Sequence, residues 1–222
     1  MKITIIDYTK NAENILIFSK KTRLRMSPDS MAEIKEMDEV ERKKELDYVF
    51  GTIGSSWEFV DYTILIEGVT RAFTHQLVRH RVGVSFAQQS QRTANMSNFK
   101  CLATGSCKES MAYKKAVDDI SKAYDQLINQ GVKPEDARGI LPTNILTNIL
   151  MKINLRALSE MLGKRLCERT QGEFREVAEK MRALVIDIHP WAEKILQPSC
   201  IFPGYCPFKN YKDCWRKKNG NN

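Results

Sequence analysis

Residues 57–92, WEFVDYTILIEGVTRAFTHQLVRHRVGVSFAQQSQR, carry three patterns in succession. Val60, Tyr62, Ile64 and Ile66 share one parity, the period of a half-buried strand, which predicts a strand over 57–67 ended by Gly68. Val69, Phe73 and Leu77 then recur at helical spacing, predicting a helix over 69–78 with Arg71, His75 and Arg79 together on another of its faces. After Arg79 neither period holds. Ser, Gln and Asn dominate to about residue 98, and the expectation there is a long ordered loop, a form that usually serves function.

Outward from this stretch the chain reads as helices with few strands. KITIIDY at 2–8 suits a first strand. Residues 29–47 hold eight acids and four bases, which predicts one or two solvated helices with i,i+4 pairs such as Glu39 with Lys43. An amphipathic helix is expected over 108–130, closed by Gly131 in the left-handed cap position, and Pro134 with Glu135 opens a short one. Leu141-Pro142 breaks the chain, and 143–153 is apolar on both parities, compatible with strand or helix. Helices are predicted over 154–167 and 171–188, stopped by Pro190 and Pro198, with an irregular tail at about 197–222. No repeat or linker divides the sequence, so one domain over 1–222 is expected.

A chain of 222 residues with 42% hydrophobic side chains, three Trp, seven Tyr and nine Phe is neither disordered nor collagen-like. Thirty-five Lys and Arg against 27 Asp and Glu leave a net charge of +8, which calls for an anionic partner. The excess is local. From Gly68 to Lys108 there is no acid in 41 positions, yet Arg71, Arg79, Arg81, Arg92, Lys100 and Lys108 all lie there. A second basic cluster is Lys164, Arg165 and Arg169; a third, Lys209, Lys212, Arg216, Lys217 and Lys218, reads as a solvated tail. No apolar run reaches the roughly 18–20 residues of a membrane helix, and MKITIIDYTK lacks the features of a signal peptide. A cytoplasmic protein with no membrane partner is therefore expected, its six cysteines kept as thiols.

No metal is expected, because His75, His80 and His189 lack ligand spacing and Cys200, Cys206 and Cys214 are five and seven residues apart. Cys167 has Arg165 and Arg169 as neighbours, which would favour a thiolate, although helix packing is the simpler account. Neither G-x-G-x-x-G nor a P-loop is present. Arg79-His80-Arg81 followed by Gln88-Gln89-Ser90-Gln91-Arg92 carries the strongest chemistry. Guanidinium forks hold phosphate bidentately, and a Ser hydroxyl with backbone N–H groups completes such a cradle. Gln76, Gln88, Gln89 and Gln91 present a donor beside an acceptor, the complement of the imide edge of uracil or of a flavin. From residue types alone, a basic surface loop remains an equal alternative.

The ordered blocks resemble one family. They are Ile66-Glu67-Gly68-Val69-Thr70-Arg71, His75-Gln76-Leu77-Val78-Arg79-His80-Arg81, Ser85-Phe86 and Gln88 to Arg92, then Asp136 to Pro142, Asn154-Leu155-Arg156, Arg165 to Arg169, and Gln171 with Glu173. In this order, across about 58–176, the sequence resembles the flavin-dependent (alternative) thymidylate synthases, with a looser echo at Pro198-Ser199-Cys200 and Gly204 to Pro207. The resemblance implies an α/β (α+β) fold, a single compact domain of long helices around a twisted, largely antiparallel sheet. It implies reductive methylation of dUMP to dTMP with methylenetetrahydrofolate as one-carbon donor, FAD as hydride carrier and NADPH as reductant. A homotetramer with shared active sites is implied too, and a nucleic acid is not the expected partner.

Carried over by position, the resemblance implies dUMP contacts at Gln76, Arg79, Gln88, Gln89, Ser90, Gln91, Arg92, Arg138 and Arg165. It implies FAD contacts at Ser55, Glu58, Arg79, His80, Arg81, Asn154, Arg156, Lys164, Arg165 and Arg169. Position 5 of uracil attacks a one-carbon donor only if electron density enters at position 6, from a thiolate or a hydride. The resemblance implies the hydride, so Cys167 is given no catalytic role; Arg165 would stabilise developing negative charge, and Ser90 would position substrate.

The sequence departs from the family at Ile53 and Phe59, where histidines are usual, at Thr93 for Tyr and at Gly172 for Trp. Eight residues, Val82 to Gln89, separate Arg-His-Arg from its serine where seven are usual, so a one-residue bulge is expected. These departures keep open a variant pyrimidine-nucleotide C5 methylase or hydroxymethylase of the same family. The charge keeps open a nucleic-acid-binding module, whose binding would be steeply salt-dependent and need no flavin.

Overall fold

A computed structural model of the chain describes residues 1–22, 29–52, 54–206 and 214. Ile53 and the basic tail residues from Lys209 onward lie outside the described residues. Four strands form one antiparallel sheet in the order β1-β2-β4-β3: β1 (Lys2–Tyr8), β2 (Asp61–Thr70), β3 (Val84–Gln88) and β4 (Leu146–Asn154). Ile64 is opposite Ile5 on one side and Met151 on the other, and Phe86 completes the row opposite Met151.

The alternation predicted for β2 is what buries it. Val60, Tyr62, Ile64 and Ile66 are fully buried, and with Ile149, Met151 and Ile153 they form the floor of the core. Over that floor lie α1 (Ala12–Lys21), α2 (Ser30–Glu36), α3 (Glu39–Thr52), α7 (Leu155–Arg165) and α8 (Gly172–Ile188). Aliphatic burial at roughly 1.5–3 kcal/mol per large side chain is the main stabilising term here. The acidic stretch forms α2 and α3 but is not merely solvated, since Ile34, Leu46, Val49 and Phe50 are buried. No Glu39–Lys43 pair forms; Lys20 bonds Glu45 at 2.6 Å and Lys194 bonds Asp47 at 2.8 Å instead.

Four expectations need correction. Trp57 to Phe59 belong to a 3-10 turn, Gly54–Phe59, ahead of β2 and not to the strand. Gly68 does not end β2: with φ of +65° it sits in a bulge between Ile66 and Val69, its N–H donated to Asn148 Oδ1 at 2.9 Å, and the strand runs on to Thr70. The following helix, α4, therefore starts at Arg71 and covers Arg71–Leu77. The expected loop after Arg79 contains β3, whose five pairs with β4 run without a register shift, so the longer spacing is not taken up as a bulge in this ladder.

The ambiguous 143–153 stretch resolves as strand because both its faces are used. Ile149, Met151 and Ile153 enter the core, while Leu150 faces the half-open side opposite Leu65. α5 (Met111–Asn129) is capped by Ser110, which accepts from the Tyr113 N–H at 3.2 Å, and it ends at Gly131 with φ of +83°. Its Tyr113, Val117, Ile120, Tyr124 and Leu127 follow a four-three spacing, but of these only Tyr124 is fully buried. The short α6 (Pro134–Ala137) follows. No described helix is long and apolar enough to cross a membrane.

Candidate active site

α4 is the pivot of the site, and its start is fixed from a distance. Thr70 caps it, its Oγ1 accepting from the Phe73 N–H at 3.0 Å. Thr70 is itself held by the buried carboxylate of Glu173 in the first turn of α8, which accepts from the Thr70 N–H at 2.8 Å and its hydroxyl at 2.6 Å. One turn on, Gln76 donates to Gln171 Oε1 at 2.5 Å.

The residues after β3 gather beside the other flank of α4. Gln88 Nε2 donates to Thr74 Oγ1 at 2.9 Å, so half of the amide expected to read a base is engaged by the protein. The Gln89 carbonyl accepts from Arg71 at 3.5 Å. Ser90 Oγ accepts from the Arg92 N–H at 3.1 Å, closing a hydroxyl turn, and Arg92 pairs with Glu135 at 3.0 Å. Arg138 follows α6 and lies near Arg71, whose pKa is lowered by burial and then by the Arg138 charge. Neither arginine has an acidic partner among the described residues, which would suit an anion. Arg71 was not among the expected ligands; the acid-free run that contains it was the available signal.

The candidate flavin residues divide between the two ends of α7, whose eleven residues separate them by about 15 Å. At the first turn, Asn154 caps the helix by accepting from the Ala157 N–H at 2.8 Å, and its own N–H donates to the Gly83 carbonyl at 2.9 Å. Gly83 has φ of +68°, and a Cβ there would come within 2.5 Å of the Asn154 amide, so a side chain would be strained and would displace that cap. Arg156 pairs with Glu58 at 2.7 Å and Glu160 at 3.3 Å, which raises its pKa. Ser55 and Glu58 are exposed on the 3-10 turn, beside a cavity of about 690 Å³ that Phe59, Ile15 and Phe18 also line. A second cavity, about 490 Å³, is lined by Arg156, Glu160 and Lys164 together with Trp57, Phe202 and Tyr205.

At the last turn, Lys164 and Arg165 meet the Arg79-His80-Arg81 turn. The Arg165 guanidinium lies over the Phe174 ring at 4.3 Å, and burial lowers its pKa. His80 is held neutral, its pKa lowered to about 4 by burial and then by the Arg165 and Lys164 charges. His80 Nε2, Arg165 Nε and Gln91 Nε2 are buried without a hydrogen-bond partner. Arg79 and Arg81 are exposed and make no ion pair among the described residues. Arg169 is exposed beyond the helix. Buried donors without acceptors cost about 1–3 kcal/mol each, a cost removed when a ligand supplies the acceptor.

Of the departing positions, Phe59 is 64% exposed, Thr93 is exposed, and a Cβ on Gly172 would meet nothing within 4 Å. Cys167 lies half-exposed past the end of α7. No cluster of His, Cys, Asp and Glu suited to a metal occurs among the described residues.

Before β3 lie the exposed Arg79 and Arg81 with the orphaned His80 and Arg165 nitrogens, and after it lie Gln91 and the Arg92–Glu135 pair, an arrangement suited to anionic ligands. Residues 4–191 match the family described as thymidylate synthase complementing protein, and the chain belongs to that family of flavin-dependent thymidylate synthases. It is 38% identical over 93% of its length to the flavin-dependent thymidylate synthase of Pyrococcus furiosus, covering 89% of that protein. To the enzyme of the same description from Sulfolobus acidocaldarius it is 36% identical, over 90% of this chain and 78% of that one. Among solved structures, a UMP/dUMP methylase, PolB from Streptomyces cacaoi bound with 5-Br dUMP, superposes with a TM-score of 0.71 at 18% identity. That superposition covers 87% of this chain and 93% of the other, and it supports the fold.

Proposed function

We propose that the chain converts dUMP, methylenetetrahydrofolate and NADPH into dTMP, tetrahydrofolate and NADP, with FAD as its resident cofactor. The observation that carries this reading is the set of unpaired cations and orphaned donors around the Arg79-His80-Arg81 turn, within a family of flavin-dependent thymidylate synthases. Arg71, Arg138 and the Gln88 to Arg92 segment hold the nucleotide, with phosphate on the arginines and the uracil edge on the glutamines. Arg79, His80, Arg81, Asn154, Arg156, Lys164 and Arg169, with Ser55 and Glu58, would hold FAD, which would supply a hydride when reduced. The orphaned Arg165 Nε–H suits a uracil carbonyl, and His80 Nε2, donor or acceptor according to its tautomer, suits the polar edge of a flavin. Arg165 keeps its charge where negative charge develops on the pyrimidine. Ser90 orients the nucleotide, and Cys167 takes no part.

The working form is a homotetramer. The four-three stripe of α5, half covered in one chain, has the period of a helix seam, and the candidate ligand residues lie open on the chain surface. The test is direct: the purified protein should carry a flavin spectrum that dUMP perturbs, and with methylenetetrahydrofolate and NADPH it should form dTMP. A colourless protein that cannot be reconstituted with FAD sinks the reading. A methylated nucleotide other than dTMP, or a hydroxymethyl product, identified by mass, replaces it with the variant activity that Phe59 and Gly172 keep in view.

A further inference from the structure

Arg165 is seated on a ring and not on an acid. Phe174, fully buried in the first turn of α8, has the Arg165 guanidinium carbon 4.3 Å from its centroid. Phe73 of α4 meets its edge at 4.8 Å and 81°, and the His80 ring lies edge-on at 6.4 Å and 84°. The preceding residue, Glu173, fixes this turn to Thr70, so the ring is locked at the junction of β2, α4 and α8.

A guanidinium is attracted by the negative face of an aromatic ring, and stacking occupies its flat face while leaving its N–H groups free along the edge. A carboxylate in the same place would neutralise the charge and take up the donors. The structure matches the first arrangement: Arg165 makes no ion pair among the described residues, and its Nε has no acceptor. The charged and titratable groups that meet at this turn include Lys164 and Glu160 on its own helix and the neutral His80 from the facing turn. We propose that Phe174 is a positioning residue that holds the Arg165 guanidinium in place with its charge and donors left free for the anionic pyrimidine nucleotide. The inference rests on the assignment of Arg165 to that nucleotide.

The experiment is dUMP titration calorimetry on the flavin-loaded protein with phenylalanine analogues of increasing fluorine content at position 174, which keep the ring's shape and weaken its negative face. Affinity should fall stepwise with fluorine content, to roughly three- to tenfold below the parent, while the melting temperature stays put. In an Arg165→Ala background the fluorine dependence should vanish. Phe174→Leu should reproduce the loss if it folds; the fluorinated series decides if it does not. The Arg165 Nε proton should also resonate upfield from ring current and move toward its ordinary position in Phe174→Leu. A flat fluorine series beside a defective Arg165→Ala overturns the role of Phe174 alone. Unchanged dUMP affinity in Arg165→Ala overturns the assignment of Arg165, and this inference with it.

Discussion

Replacing Glu173 by glutamine removes the acceptor that organises α4 while changing almost no volume. The wild-type carboxylate takes two hydrogen bonds from Thr70, at 2.8 Å and 2.6 Å, in a site where Glu173 is 6% exposed. Glutamine can keep its oxygen on the Thr70 N–H and turn its NH₂ to the Thr70 hydroxyl oxygen, but the hydroxyl proton then loses its acceptor in a buried site and the charge assistance is gone. With bonds to charged acceptors worth about 1.5–3 kcal/mol and a buried unsatisfied donor costing a similar amount, the expected loss is about 2–4 kcal/mol. For a domain of this size that corresponds to a fall in Tm of roughly 5–15 °C. Urea unfolding of wild type, Glu173→Gln, Thr70→Val and the double variant measures it, and the cycle should return a coupling of about 1–2 kcal/mol. Because Thr70 also caps the helix that carries Gln76 and leads into Arg79, dUMP affinity should fall in the same variant. A Glu173→Gln protein within about 0.5 kcal/mol of wild type, or an additive cycle, would refute the reasoning.

Gly83→Ala should cost about 2–3 kcal/mol, from a left-handed backbone and from displacing the Asn154 side chain that caps α7, whereas Gly139→Ala, with open space around its Cβ, should be nearly neutral by the same denaturation measurement. Equal effects of the two substitutions would contradict the packing described for Gly83. By NMR titration His80 should change charge near pH 4, against about 6.5 for a free histidine. Its folded-state pKa is depressed, so its contribution to stability is level above about pH 7 and falls as pH drops from about 6.5 toward 4. His80→Gln should remove that slope, and a His80 midpoint near 6.5 would contradict the burial and charge environment assigned to it.

The strand β1 and the inward row of β2 were legible because their alternation is local. Gly68 misled because its N–H partner, Asn148, is 80 residues away and allows the strand to continue through the bulge. VSFAQ has only two large apolar residues, and it becomes a strand through pairing with β4, which no local pattern announces. At the site, the acid-free run marked Arg71, Arg79 and Arg81, which make no ion pair among the described residues, but equally Arg92, which pairs with Glu135 from outside the run. It did not show that Gln88 and Ser90 are partly engaged by their own surroundings, nor that Arg71 approaches Arg138. The seat of Arg165 was illegible for a related reason. Phe174 reads as one more core residue of an amphipathic helix, and its orientation is set by Glu173 reaching a threonine 103 residues earlier.

The strand β3 also acts as a ruler. Its five residues lie between the Arg79-His80-Arg81 turn and the segment that ends at Arg92, and at about 3.3 Å per residue they hold those two groups roughly 17 Å apart. Val84, Phe86 and Gln88 point inward, Ser85 and Ala87 outward. Inserting or deleting one residue within the ladder would turn the inward row out and move one ligand group relative to the other. The ladder therefore fixes the length of this stretch, and an extra residue leaves the inward row in place only before Val84 or after Gln88.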